Sequence, residues 1–202
     1  MKFPKFISYF FHPINFPIIG TILYFLLLPE YIFKAQEHLI LIVTIAGTYV
    51  FPLFLLVLLK QFEMIKSYHM ETIEERKFPT ILFIGISLIL GNWLLKTNVV
   101  NVLSLFYFGF TLALTCSYLA LHLKLKISLH TGAVGGLIGF LICFSYHYKI
   151  NVVLFLSLFF LISGLIAYSR LRLQAHKINE IVIGFVLGIF SQIIMYTAYY
   201  II

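Results

Sequence analysis

Charged residues are scarce in this chain. Only 10% of its 202 residues are Asp, Glu, Lys or Arg, whereas a soluble globular domain has about a quarter. This shortage excludes an ordinary water-soluble fold. Cysteine is scarce as well, since Cys116 and Cys143 are the only two and both fall inside apolar runs. We interpret them as packing residues, because disulfide scaffolds and zinc sites need more thiols.

Long apolar runs fill most of the sequence. Hydrophobic residues make up 62% of the chain, and the mean hydropathy is +1.05. The runs are about 16–24 residues long, which suits helices that cross a hydrocarbon core of about 30 Å. They predict an all-α, polytopic transmembrane helical bundle of six to seven spans, forming a single domain over 1–202. The predicted spans are about 15–33, 38–59, 80–95, 100–121, 129–147, 152–169 and 178–201.

Basic residues are concentrated on one side of this predicted bundle. Seven spans place the amino terminus and the loops 60–79, 122–128 and 170–177 on the same side. Of the 14 Lys and Arg residues, only Lys34, Lys96 and Lys149 fall on the other side. The positive-inside rule therefore predicts a cytoplasmic location for the basic side, in what we expect to be a bacterial inner (plasma) membrane. The soluble surface is too small for nucleic-acid binding, so we expect membrane lipids with phosphate groups as partners.

A histidine and a carboxylate share one helical face near the last span. His176 and Glu180 are four residues apart, so the carboxylate can accept a proton from the imidazole. That bond would fix the tautomer and leave the other ring nitrogen as a base or nucleophile. Ser169 and Arg170, just before this pair, offer a hydroxyl and a guanidinium group that suit phosphate oxygens.

A second histidine opens the fifth predicted span. His130 follows Ser128 and Lys126 at a helix amino terminus, where free N–H groups favour anions. Glycine pairs with the G-x-x-x-G spacing occur in the fifth and seventh spans: Gly132/Gly136, Gly135/Gly139 and Gly184/Gly188. They predict close packing of these two helices, which would bring His130 and His176 together, although the glycines could serve packing alone. Two histidines surrounded by basic groups suit phosphoryl transfer.

The spacing of the residues around His176 resembles a motif of a known family. The type 2 phosphatidic acid phosphatase family, which includes vanadium haloperoxidases and acid phosphatases, has the motifs K-x6-R-P, P-S-G-H and S-R-x5-H-x3-D. This chain is similar to the third motif at Ser169, Arg170, His176 and Glu180, with the spacing kept and Glu in place of Asp.

The other two motifs are matched less completely. The second is represented by Ser128 and His130, with Leu129 where the family has glycine. Of the first motif, only basic residues and a proline are present. Arg76 and Lys77 precede Pro79, but the family spacing is not kept. The resemblance covers about 75–195, most of the chain.

The resemblance implies a role for each matched residue. His176 would be the nucleophile that forms a phosphohistidine, Glu180 would orient it, and His130 would be the general acid. The residues expected to hold phosphate are Arg170, Ser128, Arg76, Lys77, Lys126 and Ser169, with Lys66 as a further candidate. The expected charge neutralisation by Arg and Lys requires no metal or other cofactor.

The function predicted from the sequence is an integral membrane lipid phosphatase. Its substrate would be a phosphomonoester or diphosphate of a lipid whose tail enters between the helices. The alternative is a non-catalytic binder or transporter of lipid phosphates, motivated by Leu129, Glu180 and the broken first motif. A purely structural membrane subunit would leave the clustered histidines and Arg170 unexplained.

Overall fold

The fold is built from α-helices joined by short connections. The computed structural model describes residues 2–63 and 72–200, and no β-strand occurs among them. The helices are α1 (Lys2–Phe10), α2 (Phe16–Leu27), α3 (Lys34–Ile45), α4 (Phe51–Gln61), α5 (Ile73–Lys96), α6 (Asn101–His122), α7 (Leu129–Tyr148), α8 (Val153–Arg172) and α9 (Ile178–Tyr200). A 3₁₀ turn, Pro13–Asn15, separates α1 from α2, and a π-helical stretch, Ala46–Val50, joins α3 to α4. The predicted all-α bundle is confirmed.

Within the described residues, seven helical segments are long and apolar enough to cross a membrane. They are 2–27, 34–61, 73–96, 101–122, 129–148, 153–172 and 178–200. Seven is the upper value of the six to seven spans predicted from the sequence. Seven such helices indicate an integral membrane protein.

The position predicted for the first span is wrong. The segment begins at Lys2 and ends at Leu27, and is broken between α1 and α2, whereas the prediction was about 15–33. Pro13 has no N–H to continue α1, and it starts the 3₁₀ turn instead. At the other end, Leu28 adopts an extended conformation before Pro29, which ends α2 six residues earlier than expected.

Helix α5 begins earlier than the sequence predicted. Thr72 Oγ1 accepts a hydrogen bond from the Glu75 N–H, and Glu75 Oε2 accepts one from the Thr72 N–H, each over 3.3 Å. This reciprocal capping box starts the helix at Ile73 rather than near residue 80. Arg76 and Lys77 therefore lie on a helix and not in the predicted loop.

Helix α7 lies at the centre of the bundle and packs backbone to backbone against α9. In its apolar window 72% of residues are buried, against 17% for α8. A Cβ on Gly184 would lie 2.5 Å from Ser128 O and 2.8 Å from Thr131 Oγ1, and a Cβ on Gly188 would collide with the Gly132 carbonyl. Only glycine permits this approach, so the predicted close packing of the two helices is confirmed.

Candidate functional site

His176 is held by one ring nitrogen. Its Nδ1 lies 2.9 Å from Glu180 Oε2 and 3.0 Å from the Lys126 carbonyl oxygen. Both partners accept hydrogen bonds, so the proton of the neutral ring lies on Nδ1. Nε2 then carries a lone pair, and no described residue forms a hydrogen bond with it. The predicted pairing with Glu180 is confirmed, and an Nε2 with a lone pair has the chemistry of a nucleophile or base.

Glu180 itself is fixed by the beginning of α9. Its Oε2 also accepts a hydrogen bond from the Lys177 N–H over 3.1 Å. The carboxylate therefore bends back over the first turn, where the positive end of the helix dipole stabilises a negative charge. The extra methylene of Glu, relative to the Asp of the resembled motif, does not prevent contact with His176.

The environment of His176 favours its neutral form. Burial lowers the pKa of His176, and the positive charges of Arg76 and Arg170 lower it further. The hydrogen bond to Glu180 acts in the opposite direction and raises this pKa, but burial is the larger effect. An imidazole that is unprotonated at neutral pH retains the lone pair that a nucleophile needs.

Backbone and hydroxyl bonds join the start of α7 to the start of α9. The Ser128 N–H donates to the Glu180 carbonyl over 3.1 Å, and Thr131 Oγ1 donates to the Ile181 carbonyl over 2.9 Å. The hydroxyl of Ser128 accepts a hydrogen bond from the Thr131 N–H and so caps α7. Ser128 is fully buried and does not line the cavity described below. The structure places its hydroxyl as a helix cap, and its predicted contact with phosphate stays a prediction.

His130 contacts the amino-terminal helix. Its Nε2 lies 3.2 Å from the Ser8 carbonyl oxygen and 3.4 Å from Ser8 Oγ. Because a carbonyl only accepts, Nε2 carries a proton, and the second proton of an imidazolium would lie on Nδ1. The ring of His12 meets the ring of His130 edge to face, with centroids 5.4 Å apart.

Arg170 reaches the same serine. Its Nη1 donates to Ser8 Oγ over 2.7 Å, and its buried Nε has no hydrogen-bond partner among the described residues. The neighbouring Ser169 is fully buried and donates from Oγ to the Pro4 carbonyl over 2.6 Å. Ser169 therefore fastens α1 to α8 and does not line the cavity described below, and its contact with phosphate stays a prediction. The short hydroxyl side chain points towards the helix that covers it.

The two candidates from the first motif separate onto different sides of α5. Arg76 lines the cavity, whereas Lys77 pairs with Glu74 over 2.8 Å at the surface. Adjacent helical residues point about 100° apart, so the two side chains reach different surroundings. Arg76 therefore lies at the cavity and Lys77 does not, and phosphate binding by either residue stays a prediction. Lys126 also lines the cavity, and Lys66 lies outside the described residues.

Four further residues of the site come from the amino-terminal segment. Lys5, Ser8, Tyr9 and His12 line the cavity, and the sequence interpretation did not include them. Their spacing places them on one face of α1 and its extension, a signal that was available in the sequence. The sequence prediction missed this spacing because prolines follow these residues and the first span was expected to begin near residue 15.

These side chains surround one cavity of about 790 Å³ at one end of the bundle. Its outer part is lined by the charged and imidazole groups of Lys5, His12, Arg76, Lys126, His130, Arg170 and His176. Leu129 also lines it, where the resembled motif has glycine. The excess of cations over carboxylates makes this part suited to an anion such as phosphate. In the described parts of the chain, no three His, Cys, Asp or Glu side chains are grouped to hold a metal ion.

Fold and site together define an all-α membrane protein with a basic cavity that contains two buried histidines. Compared with known proteins, the chain matches no family model, no curated protein and no solved structure.

Proposed function

We propose that the protein is a lipid phosphatase and a divergent member of the type 2 phosphatidic acid phosphatase family. It hydrolyses a phosphomonoester or diphosphate of a lipid through a phosphohistidine at His176. The observation that carries this proposal is the hydrogen bonding of His176 Nδ1 to Glu180 and Lys126 O. It leaves the Nε2 lone pair for a phosphate bound among the cations of the cavity.

In the first step, the Nε2 lone pair of His176 forms a bond to phosphorus, and the bond from phosphorus to the lipid oxygen breaks. The negative charge of the bound phosphate favours the protonated form of His130, and the leaving oxygen takes a proton from its Nδ1 while its Nε2–H remains on the Ser8 carbonyl. Glu180 stabilises the positive charge that the His176 ring acquires. Arg76 and Arg170 neutralise the charge on the phosphate oxygens.

In the second step, water attacks phosphorus and the N–P bond breaks, which returns the electron pair to His176 Nε2. Neutral His130 takes the proton of the water at Nδ1 and becomes the acid of the next cycle. Inorganic phosphate leaves, and each group has recovered its starting protonation state. The assignment of His130 as the acid follows the family resemblance, and its place in the same cavity as His176 supports it.

The position of the site supports a lipid substrate. The charged part of the cavity lies among the ends of helices that are long and apolar enough to cross a membrane, and these helices expose apolar side chains. Lipid phosphates lie at the border of the hydrocarbon core, where such helices end. The excess of Lys and Arg on this side supports a cytoplasmic orientation in a plasma membrane.

The decisive experiment is phosphate release from a panel of lipid phosphates by the purified protein and by His176→Ala. We expect the wild type to release phosphate from at least one lipid and the variant to release none. The matched control is His38→Ala, since His38 is exposed at the start of α3 and does not line the cavity. Wild-type turnover by His176→Ala on a genuine substrate would refute the proposal.

A second candidate function is binding or transport of lipid phosphates without cleavage. The contact of His130 Nε2 with Ser8 O favours it, because the ring is already engaged by protein. Tight binding of the same lipids by the wild type, with no phosphate released from any of them, would support this function instead.

A further inference from the structure

The cavity continues inward from the charged groups as an apolar space. Six residues line this part, which we call the inner chamber: Phe83 and Ser87 of α5, Phe110, Ala113 and Leu114 of α6, and Leu187 of α9. None of these side chains carries a charge. The chamber therefore offers nothing to a second phosphate and suits a hydrocarbon chain.

The inner chamber extends deep into the bundle. Arg76 and Ser87 line the same cavity from one helix, eleven residues apart. A helix rises about 1.5 Å per residue, so the chamber reaches about 16 Å below the cation. That depth is roughly half of a hydrocarbon core of about 30 Å.

An apolar space of this size is most stable when an apolar group fills it. Side chains that line a void lose dispersion contacts that a packed neighbour would supply. Elsewhere in the bundle, Gly184 and Gly188 let the backbones of α7 and α9 touch, so the helices are capable of close packing. The whole cavity, about 790 Å³, lies within the range of roughly 300–1,000 Å³ that small-molecule sites occupy.

We infer that the inner chamber binds the apolar chain of the phosphate ligand and acts as a ruler for its length. The ligand is a phosphate joined directly to one long apolar chain, because the chamber begins immediately beneath the cations. Its floor is formed by the innermost lining residue of each helix, which is Ser87 on α5, Phe110 on α6 and Leu187 on α9. The inference rests on the proposed function for the position of the phosphate, and it adds that the chain lies inside the protein and not in the bilayer.

Binding of non-hydrolysable n-alkylphosphonates, from butyl to octadecyl, tests this inference by calorimetry on the purified full-length protein. Each methylene that enters the chamber is expected to raise the affinity about fourfold, until the chain reaches the floor. Longer chains gain nothing further. The measured quantity is the chain length at which this gain stops.

Substitutions should move that length in both directions. Ala113→Phe fills the chamber and stops the gain at a shorter chain, while Phe110→Ala removes the floor and stops it at a longer one. Leu187→Ala tests the floor from α9, since loss of the Phe110 ring also removes its packing on Phe106. The matched control is Leu119→Phe, which adds an aromatic ring to the exposed face of α6, where Leu119 is 57% exposed.

Two results would overturn the inference: no dependence of affinity on chain length, or the same stopping length in the wild type and in every folded chamber variant. An assay of phosphate release distinguishes a failure of this inference from a failure of the proposed function. A ruler pattern without phosphate release supports the chamber and refutes the phosphatase. Phosphate release without a ruler pattern refutes the chamber alone.

Discussion

Arg170 donates a hydrogen bond from Nη1 to Ser8 Oγ over 2.7 Å, across 162 positions of the chain. The same serine accepts a hydrogen bond from His130 through its carbonyl oxygen. One residue of α1 thus holds a basic group from α8 and a histidine from α7. The amino-terminal helix is therefore part of the site and not a peripheral anchor.

Removal of the Ser8 hydroxyl is expected to weaken the site without unfolding the protein. Ser8→Ala leaves Arg170 without its Nη1 partner, and its Nε already has none among the described residues. A hydrogen bond to a charged group contributes about 1.5–3 kcal/mol. We expect kcat/KM for a lipid phosphate to fall by about tenfold or more, measured by phosphate release.

Ser163→Ala is the control for this change. Ser163 is on α8, like Arg170, and its hydroxyl donates to the Phe160 carbonyl of its own helix at an exposed position. Its loss should leave kcat/KM within about twofold of the wild type. Equal activities of Ser8→Ala and Ser163→Ala would show that the Ser8 bond has no part in function.

The adjacent residues Arg76 and Lys77 should respond differently to truncation. Arg76 lines the cavity, and its loss removes a cation near the phosphate, so Arg76→Ala should lower kcat about 10²-fold or more. Lys77 forms a surface pair with the 78% exposed Glu74, a kind of contact that contributes little. Lys77→Ala should change kcat by about twofold at most.

Phosphate-release kinetics of the two variants in the same detergent provide the comparison. Each substitution lies in the same turn of α5, so a general effect on the helix would reduce both activities alike. Similar losses would contradict the assignment of Arg76 alone to the site.

Patterns along single helices were predictable from the sequence. The length of the apolar runs predicted six to seven spans, because a helix of fixed rise must cross a core of fixed thickness. The i,i+4 spacing predicted the contact between His176 and Glu180, which lie on one face at the start of α9. The glycines at positions 184 and 188 predicted backbone contact between α7 and α9.

Contacts between distant segments were not predictable in this way. No periodicity relates Ser169 to Pro4, and the direction of a short hydroxyl depends on which helix covers it. For Arg76 and Lys77, both basic, the sequence does not state which side of α5 faces the cavity. The start of α5, by contrast, was predictable from the sequence, because Thr72 and Glu75 have the spacing of a capping box.

Loss of the Glu180 carboxylate should change both the rate and its dependence on pH. In the proposed mechanism Glu180→Gln removes the charge that stabilises the phosphorylated His176 ring, so kcat should fall about 10²-fold or more. The hydrogen bond to Glu180 raises the pKa of His176, which burial and neighbouring arginines lower. Without the carboxylate this pKa falls further.

The direction of the pH dependence follows because only neutral His176 has the lone pair that attacks phosphorus in the proposed mechanism. On the acidic side of the pH profile, the wild-type rate should decline below pH 6.5, the ordinary value for histidine, because the pKa of His176 is lowered. In Glu180→Gln this acidic limb should move to still lower pH. Profiles of kcat against pH for the two proteins provide the measurement, and a limb that moves towards neutral pH in the variant would contradict the assignment.

Close packing at Gly184 should be required for both stability and activity. In Gly184→Ala the new Cβ would lie 2.5 Å from Ser128 O, a backbone atom at the junction that ties α7 to α9. The helices must separate, at a cost of about 1–3 kcal/mol. Phosphate release should fall as well, because His130 and His176 are positioned by this junction.

Gly164→Ala provides the matched control. Gly164 is on α8, and a Cβ there would meet no atom within 4 Å. Alanine has the higher helix propensity, by about 1 kcal/mol, so this variant should be as stable as the wild type or more so. Thermal unfolding in detergent and phosphate release should both distinguish the two variants. If Gly184→Ala kept the melting temperature and turnover of Gly164→Ala, the contact between α7 and α9 would not be what holds the two histidines in place.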